Sequence, residues 1–107
     1  MSATTTGFPA GSLDQIPIGE GRVFRVAGRD IAVFRCRTGQ VHATAAECPH
    51  RGGPLADGLV GNGSVICPLH GRVFDLRTGE AKDHTCPPLA TYHVDVSPAG
   101  ELTIALP

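Results

Sequence analysis

The sequence predicts a small all-β domain, and three observations carry that expectation. Gly and Pro together supply 23 of the 107 residues, 14 and 9 respectively. That is too many for a helical bundle and below the level that signals disorder. No stretch shows an apolar stripe at a 3.6-residue period, whereas several short stretches alternate or run in β-formers. Turn residues separate these stretches at short, regular intervals, which suits a sandwich or barrel built on one core.

Taken in order, residues 1–12 are small, polar and unpatterned, and are expected to form a loose tail ahead of a single domain over 13–107. From Arg22 the chain alternates: Val23, Arg25 and Ala27 point one way, Phe24 and Val26 the other. Gly28-Arg29-Asp30 is expected to turn it into a strand over Ile31–Cys36. Arg37–Gln40 makes a second turn, and Val41–Thr44 completes a β-meander. From Glu47 to Gly63 the density of breakers (Pro49, Gly52, Gly53, Pro54, Gly58, Gly61) leaves little room for regular structure. Ser64–Cys67 and Arg72–Asp75 read as short strands, and Leu76–Glu80 as a turn. Pro87-Pro88 interrupts before Leu89–Val96 alternates around Tyr92, Val94 and Val96. Ser97–Gly100 turns once more, and Leu102–Leu106 is the closing strand.

Composition excludes several classes of function. The formal net charge is −1, so there is no basic surplus to neutralise phosphates, and nucleic acid is not an expected partner. No apolar run approaches the length of a membrane span. The first residues have neither the basic start nor the apolar stretch of a secretory signal, so the expected compartment is the cytoplasm. There disulfides are rare, and paired Cys and His point to metal. The four cysteines, 36, 48, 67 and 86, form no Cys-x-x-Cys pair, which removes thioredoxin-type, zinc-ribbon and c-type haem motifs. With no Trp, one Tyr and four Phe, the core has few large anchors, and such a fold often carries a staple.

Two segments supply candidates for it: Cys48-Pro49-His50 and Cys67-Pro68-Leu69-His70. Each pairs a thiolate with an imidazole. Each has a Pro directly after its Cys, which fixes backbone direction and removes an amide donor. Residues 51–66, sixteen in all, lie between them. Two such loops at one end of a β scaffold would present two sulfurs and two nitrogens. Tetrahedral zinc accepts that set, but usually with two to four residues between paired Cys. A blue-copper site wants an axial Met, and the only Met is Met1. A Rieske-type 2Fe–2S cluster wants two Cys on one iron and two His on the other, which Cys-x-His followed by Cys-x-x-His supplies directly.

The run Cys48-Pro-His-Arg-Gly-Gly-Pro-Leu-Ala-Asp-Gly58, with Cys67-Pro-Leu-His-Gly71 and Phe74-Asp-Leu-Arg-Thr-Gly79, resembles a Rieske iron–sulfur protein. It is similar to the stand-alone Rieske ferredoxins that feed ring-hydroxylating oxygenases. It also resembles the small subunit of assimilatory NAD(P)H nitrite reductase in its cluster-bearing forms. The resemblance implies three small antiparallel sheets, with cluster-binding loops within 47–75 and a proline-rich third loop near Pro87-Pro88. It further implies one 2Fe–2S cluster, with Cys48 and Cys67 on the inner iron and His50 and His70 on the outer. Two neutral imidazoles in place of two thiolates remove negative charge, so accepting an electron costs less than in all-Cys ferredoxins.

High-potential members of the family join the two loops by a disulfide; the corresponding positions here are Gly53 and Leu69. They also carry Ser and Tyr hydroxyls that donate toward cluster sulfur, where this chain has Arg72 and Phe74. The resemblance therefore implies a low-potential electron carrier, with catalysis left to a partner. The expected partners are a flavin reductase and a terminal oxygenase, or a nitrite reductase large subunit; a zinc-stapled structural module is the remaining alternative. No nucleophile or acid–base pair is apparent. Cys36 reads as a buried small hydrophobe, Cys86 as a bystander thiol, His42 and His93 as sheet positions, and His84 as solvated. Asp57, Asp75, Glu80, Asp83 and Asp95 read as a solvated surface or, alternatively, an acidic docking face. Arg51 and Arg72 flank the ligands.

Overall fold

The computed structural model describes residues 6–47, 54–61, 63–68, 71–82 and 87–106. Nine strands occur among them: β1 (Thr6–Ser12), β2 (Glu20–Val26), β3 (Arg29–Arg35), β4 (Val41–Ala45), β5 (Leu59–Val60), β6 (Ser64–Ile66), β7 (Val73–Asp75), β8 (Thr91–Val96) and β9 (Glu101–Leu106). The helical content of the described residues is two single turns of 3-10 helix, Leu13–Gln15 and Leu55–Asp57. The chain is thus all-β, as its composition predicts. All pairings are antiparallel, in a six-stranded sheet of order β1-β9-β8-β4-β3-β2 and a three-stranded sheet of order β5-β6-β7. The larger sheet consists of two three-stranded halves joined through a short β4–β8 pairing at Ala43↔Tyr92 and Thr44↔Thr91. That narrow join is how three small sheets and one large one describe the same molecule.

Strand β3 lies between β4 and β2, and its run Ile31-Ala-Val-Phe34 is buried on both faces. Ile31 and Val33 face one core with Phe24, Val26, Leu102, Ile104 and Leu106. Ala32 and Phe34, with Cys36 just beyond, face the other, with Leu55, Val65, Cys67, Phe74 and Leu76. A continuous apolar run is what a strand covered on both sides requires. Strand β2 shows the predicted alternation: Phe24 and Val26 are buried, while Val23 is half exposed beside Arg22 and Arg25. On β8 the alternation is weaker, because Tyr92 and Val94 are partly buried and Val96 is exposed.

Two expectations are corrected. Residues 6–12 of the expected tail are strand β1, paired with β9 from Thr6↔Leu106 to Ser12↔Glu101. The pairing is made by main-chain groups of a small-residue segment, so no apolar periodicity announces it. A bulge between Pro9 and Gly11 accommodates the residue that cannot donate to the ladder. Ser12 then starts the first 3-10 turn, with its hydroxyl accepting from Asp14 N–H and Gln15 Oε1 accepting from Ser12 N–H. The β2–β3 turn is Ala27-Gly28 rather than Gly28-Arg29-Asp30. Both residues have positive φ, 51° and 82°, and Val26 pairs directly with Arg29. A two-residue hairpin of this hand matches strand twist, and only Gly28 occupies it without steric cost.

Candidate metal centre

The small sheet and the 3-10 turn Leu55–Asp57 form the part of the fold where the sequence places its chemistry. Cys67 directly follows β6 and is 1% exposed. Its N–H donates to the Arg72 carbonyl at 2.7 Å, and its own carbonyl accepts from Gly71 N–H at 3.0 Å. A four-residue excursion, 68–71, is thereby closed at its base, with Pro68 and Gly71 exposed. The other excursion is closed in the same manner. Glu47 and Pro54 form an antiparallel bridge, and Leu55 N–H donates to the Ala46 carbonyl at 3.2 Å. The two bases meet through one core, which contains Leu55, Ala56, Val65, Cys67 and Phe74, with Ala46 packed against it.

Cys48, His50 and His70 lie outside the described residues, as do Arg51, Gly52, Gly53, Leu69, Asp83, His84 and Cys86. What the described part shows is compatible with a metal centre: Cys67 is buried, is not in a disulfide, and stands at the mouth of a hydrogen-bonded turn. The donor set of two thiolates and two imidazoles suits a Rieske-type cluster by its chemistry. Ala45 N–H donates to the Ala90 carbonyl at 2.9 Å, extending the β4–β8 pairing toward the segment that follows Pro87-Pro88. Both prolines are exposed.

The remaining candidates are placed as follows. Cys36 is 1% exposed within the core. Burial pushes its thiol above the ordinary value, opposed by a hydrogen bond from the Gly63 backbone. His42 lies on β4 and His93 on β8, as expected. Burial holds His42 below its ordinary pKa; the Asp75 charge opposes this and Arg77 reinforces it. The Asp75 carboxyl is held below its ordinary value first by the Arg77 N–H at 2.8 Å, then by Thr78 N–H and the Lys82 and Arg77 charges, against a desolvation effect. Asp57 stands in the Leu55–Asp57 turn, Asp75 on β7 and Asp95 on β8, while Glu80 is exposed after β7. Phe74 is 0% exposed in the core that holds Cys67, opposite Val65 in the register. The turn Leu55–Asp57 and strand β5 were not foreseen. Each is too short to show a period, and Pro54 at the entrance to the turn is the only local signal.

This arrangement, an all-β fold with two closed excursions on a shared core, is matched by known proteins. Residues 7–93 match the Rieske 2Fe-2S domain family. The chain is 34% identical over 97 residues to the ferredoxin component of the naphthalene 1,2-dioxygenase/salicylate 5-hydroxylase systems of a Ralstonia species, covering 87% of this chain and 89% of that protein. Among solved structures, a protein assigned as an NADH-dependent nitrite reductase small subunit from Mycobacterium tuberculosis superposes with a TM-score of 0.89 at 25% identity, covering 98% of both chains. The ferredoxin of carbazole 1,9a-dioxygenase from Nocardioides aromaticivorans gives 0.80 at 30% identity, over 95% of this chain and 97% of that one. Other relatives are much longer: the chain spans 14% of a 4beta-methylsterol monooxygenase from Methylococcus capsulatus and 11% of the human apoptosis-inducing factor 3. The chain belongs to the Rieske 2Fe–2S family. Its domain is one that binds one 2Fe–2S cluster.

Proposed function

We propose that the chain is the ferredoxin of an oxygenase system, passing single electrons from a reductase to a terminal oxygenase in the cytoplasm. The observation that carries this reading is the nearly end-to-end match to a dioxygenase ferredoxin component at 34% identity. In this reading residues 13–107, with β1 added, form one Rieske domain. Cys48 and Cys67 hold the inner iron, and His50 and His70 the outer. When bound, the cluster supplies a one-electron couple; the chain positions it and sets its potential, and catalysis belongs to the partner. Phe74 is an apolar ring buried in the core with Cys67, at the position where the family resemblance implies a Tyr hydroxyl favouring the reduced state in high-potential members. The midpoint should therefore sit near the low end of the Rieske range, around roughly −150 mV. No helix among the described residues is long and apolar enough to cross a membrane.

Iron, sulfide and zinc analysis with electron paramagnetic resonance tests the cluster, and protein-film voltammetry at neutral pH tests the potential. One zinc with no sulfide, in protein made with ample iron, removes the reading. A midpoint above about +100 mV removes the ferredoxin assignment. The second reading, a nitrite reductase small subunit, is favoured by the 0.89 superposition. It requires a stable stoichiometric complex with a large catalytic chain, whereas a ferredoxin turns over between two partners.

A further inference from the structure

From the close approach of Gly58 to Ile66, we infer that Gly58 is a positioning residue for the cluster: it sets the spacing between the two ligand loops. This rests on the assignment of Cys48, His50, Cys67 and His70 as ligands. Gly58 ends the 3-10 turn that follows the first loop, where its N–H donates to the Leu55 carbonyl at 2.9 Å. That turn is tied back to the loop's other strand by the Leu55 N–H to Ala46 carbonyl bond and the Glu47↔Pro54 bridge. On its far side Gly58 lies against Ile66, the residue before Cys67. A Cβ at position 58 would stand 2.2 Å from the Ile66 carbonyl oxygen and 3.1 Å from the Leu55 carbonyl oxygen. Gly58 itself has φ −75°, which any residue adopts. Its lack of a side chain is therefore required by the contact and not by backbone conformation.

Both obstructing atoms are main chain, so no side-chain rotation relieves the clash. Ordinary contact begins near 3.4 Å, so a methyl group at 58 forces the turn and the end of β6 apart by about 1 Å. One side of that gap leads through Pro54 to the first loop, and the other leads in one step to Cys67. Ligand bonds to a metal tolerate about 0.2 Å. A displacement several times larger cannot be absorbed at the cluster without changing its geometry or losing it. Gly61, also in this region, has no such role, since a Cβ there meets nothing closer than 3.5 Å.

The test compares Gly58→Ala with Gly61→Ala and Leu102→Ala in the holoprotein. Leu102 is buried in the core that does not contain Cys67, so its truncation weakens the fold without touching the ligand loops. Circular dichroism and amide spectra report the sheets; iron content, resonance g-values and midpoint potential report the cluster. The wild type is measured first, and a Rieske spectrum lost in His50→Ala and His70→Ala establishes the underlying ligand assignment independently. The expected result for Gly58→Ala is retained sheets with shifted g-values and a displaced midpoint, or iron content below half that of wild type. Gly61→Ala and Leu102→Ala should keep the wild-type g-values and midpoint. Wild-type cluster readings in Gly58→Ala overturn the inference. So does loss of the larger sheet in Gly58→Ala, because the contact would then govern folding and not loop spacing. Cluster readings in Leu102→Ala that shift as far as those in Gly58→Ala overturn it as well.

Discussion

Replacing Phe74 by Tyr tests the reading of the potential directly. Phe74 is fully buried beside the elements that carry Cys67: it pairs with Val65 on β6, and Arg72, two residues earlier, accepts the Cys67 N–H. A hydroxyl added to this ring has no route to bulk water. If it meets cluster sulfur, as the family resemblance implies, it donates a hydrogen bond that strengthens when the cluster takes up an electron. A net hydrogen bond is worth about 0.5–1.5 kcal/mol. If that amount separates the reduced from the oxidised state, the one-electron midpoint rises by roughly 20–65 mV, since a tenfold change corresponds to about 59 mV. If the hydroxyl finds no partner, it leaves a buried polar group that costs about 1–3 kcal/mol. The melting temperature then falls by roughly 4–8 °C for each kcal/mol. Voltammetry and thermal melting of the same preparation separate the two outcomes. A higher midpoint with melting unchanged supports the reasoning. An unchanged midpoint with lower melting refutes it, because position 74 would then not face the cluster.

Further outcomes follow from the same geometry. His50→Ala, His70→Ala, Cys48→Ser and Cys67→Ser should each abolish the Rieske resonance spectrum, while Cys36→Ser and Cys86→Ser should retain it. Both His42 and Asp75 have folded pKa values below their ordinary ones, so each binds fewer protons folded than unfolded. The stability each contributes is present above its ordinary value, 6.5 for His42 and 3.8 for Asp75, and is lost as pH falls through the folded value. Denaturant midpoints should therefore decline below pH 6.5 less steeply in His42→Gln than in wild type. Ala27 holds a left-handed conformation at φ 51°, so Ala27→Asn should raise stability by about 1 kcal/mol in equilibrium unfolding. Leu76→Ala and Leu102→Ala should each cost about 2–5 kcal/mol. Only Leu76→Ala, in the core shared with Cys67, should also hasten iron release to a chelator.

Where side-chain pattern carries the information, the fold was legible in the sequence. The alternation of Phe24 and Val26 against Val23 and Arg25 matches the faces of β2, and the β-former run from Ile31 is strand β3, whose burial on both faces only the structure shows. Cys67 is buried directly after β6, and Pro87-Pro88 precede β8, while the other three motif ligands lie outside the described residues. Strand β1 was not legible, because Gly7, Pro9 and Gly11 pair through main-chain groups and a bulge and show no period. The β2–β3 turn was misplaced by one residue, because Ala27 takes a conformation that its side chain disfavours and only the register reveals. The Gly58–Ile66 contact was invisible for a related reason. The sequence shows a glycine in a glycine-rich segment, and only the fold shows which of those glycines has a carbonyl pressed against it.

The way the loops are tied also bears on the proposed function. Both described cysteines are free, and the positions that would bear an inter-loop disulfide in high-potential relatives are Gly53 and Leu69. Each loop is closed at its base by main-chain bonds: the Glu47↔Pro54 bridge with Leu55 N–H to Ala46 carbonyl, and Cys67 N–H to Arg72 carbonyl. Such bonds are indifferent to the thiol–disulfide poise of the surroundings, whereas a disulfide tie would be reducible in a glutathione-buffered cytoplasm. The buried core beneath them does the rest, since Leu55, Cys67 and Phe74 belong to one apolar cluster. A carrier that takes and gives single electrons must keep its ligands in place in both oxidation states. Ties made of backbone hydrogen bonds and apolar packing would meet that need under reducing conditions, as the proposed function requires.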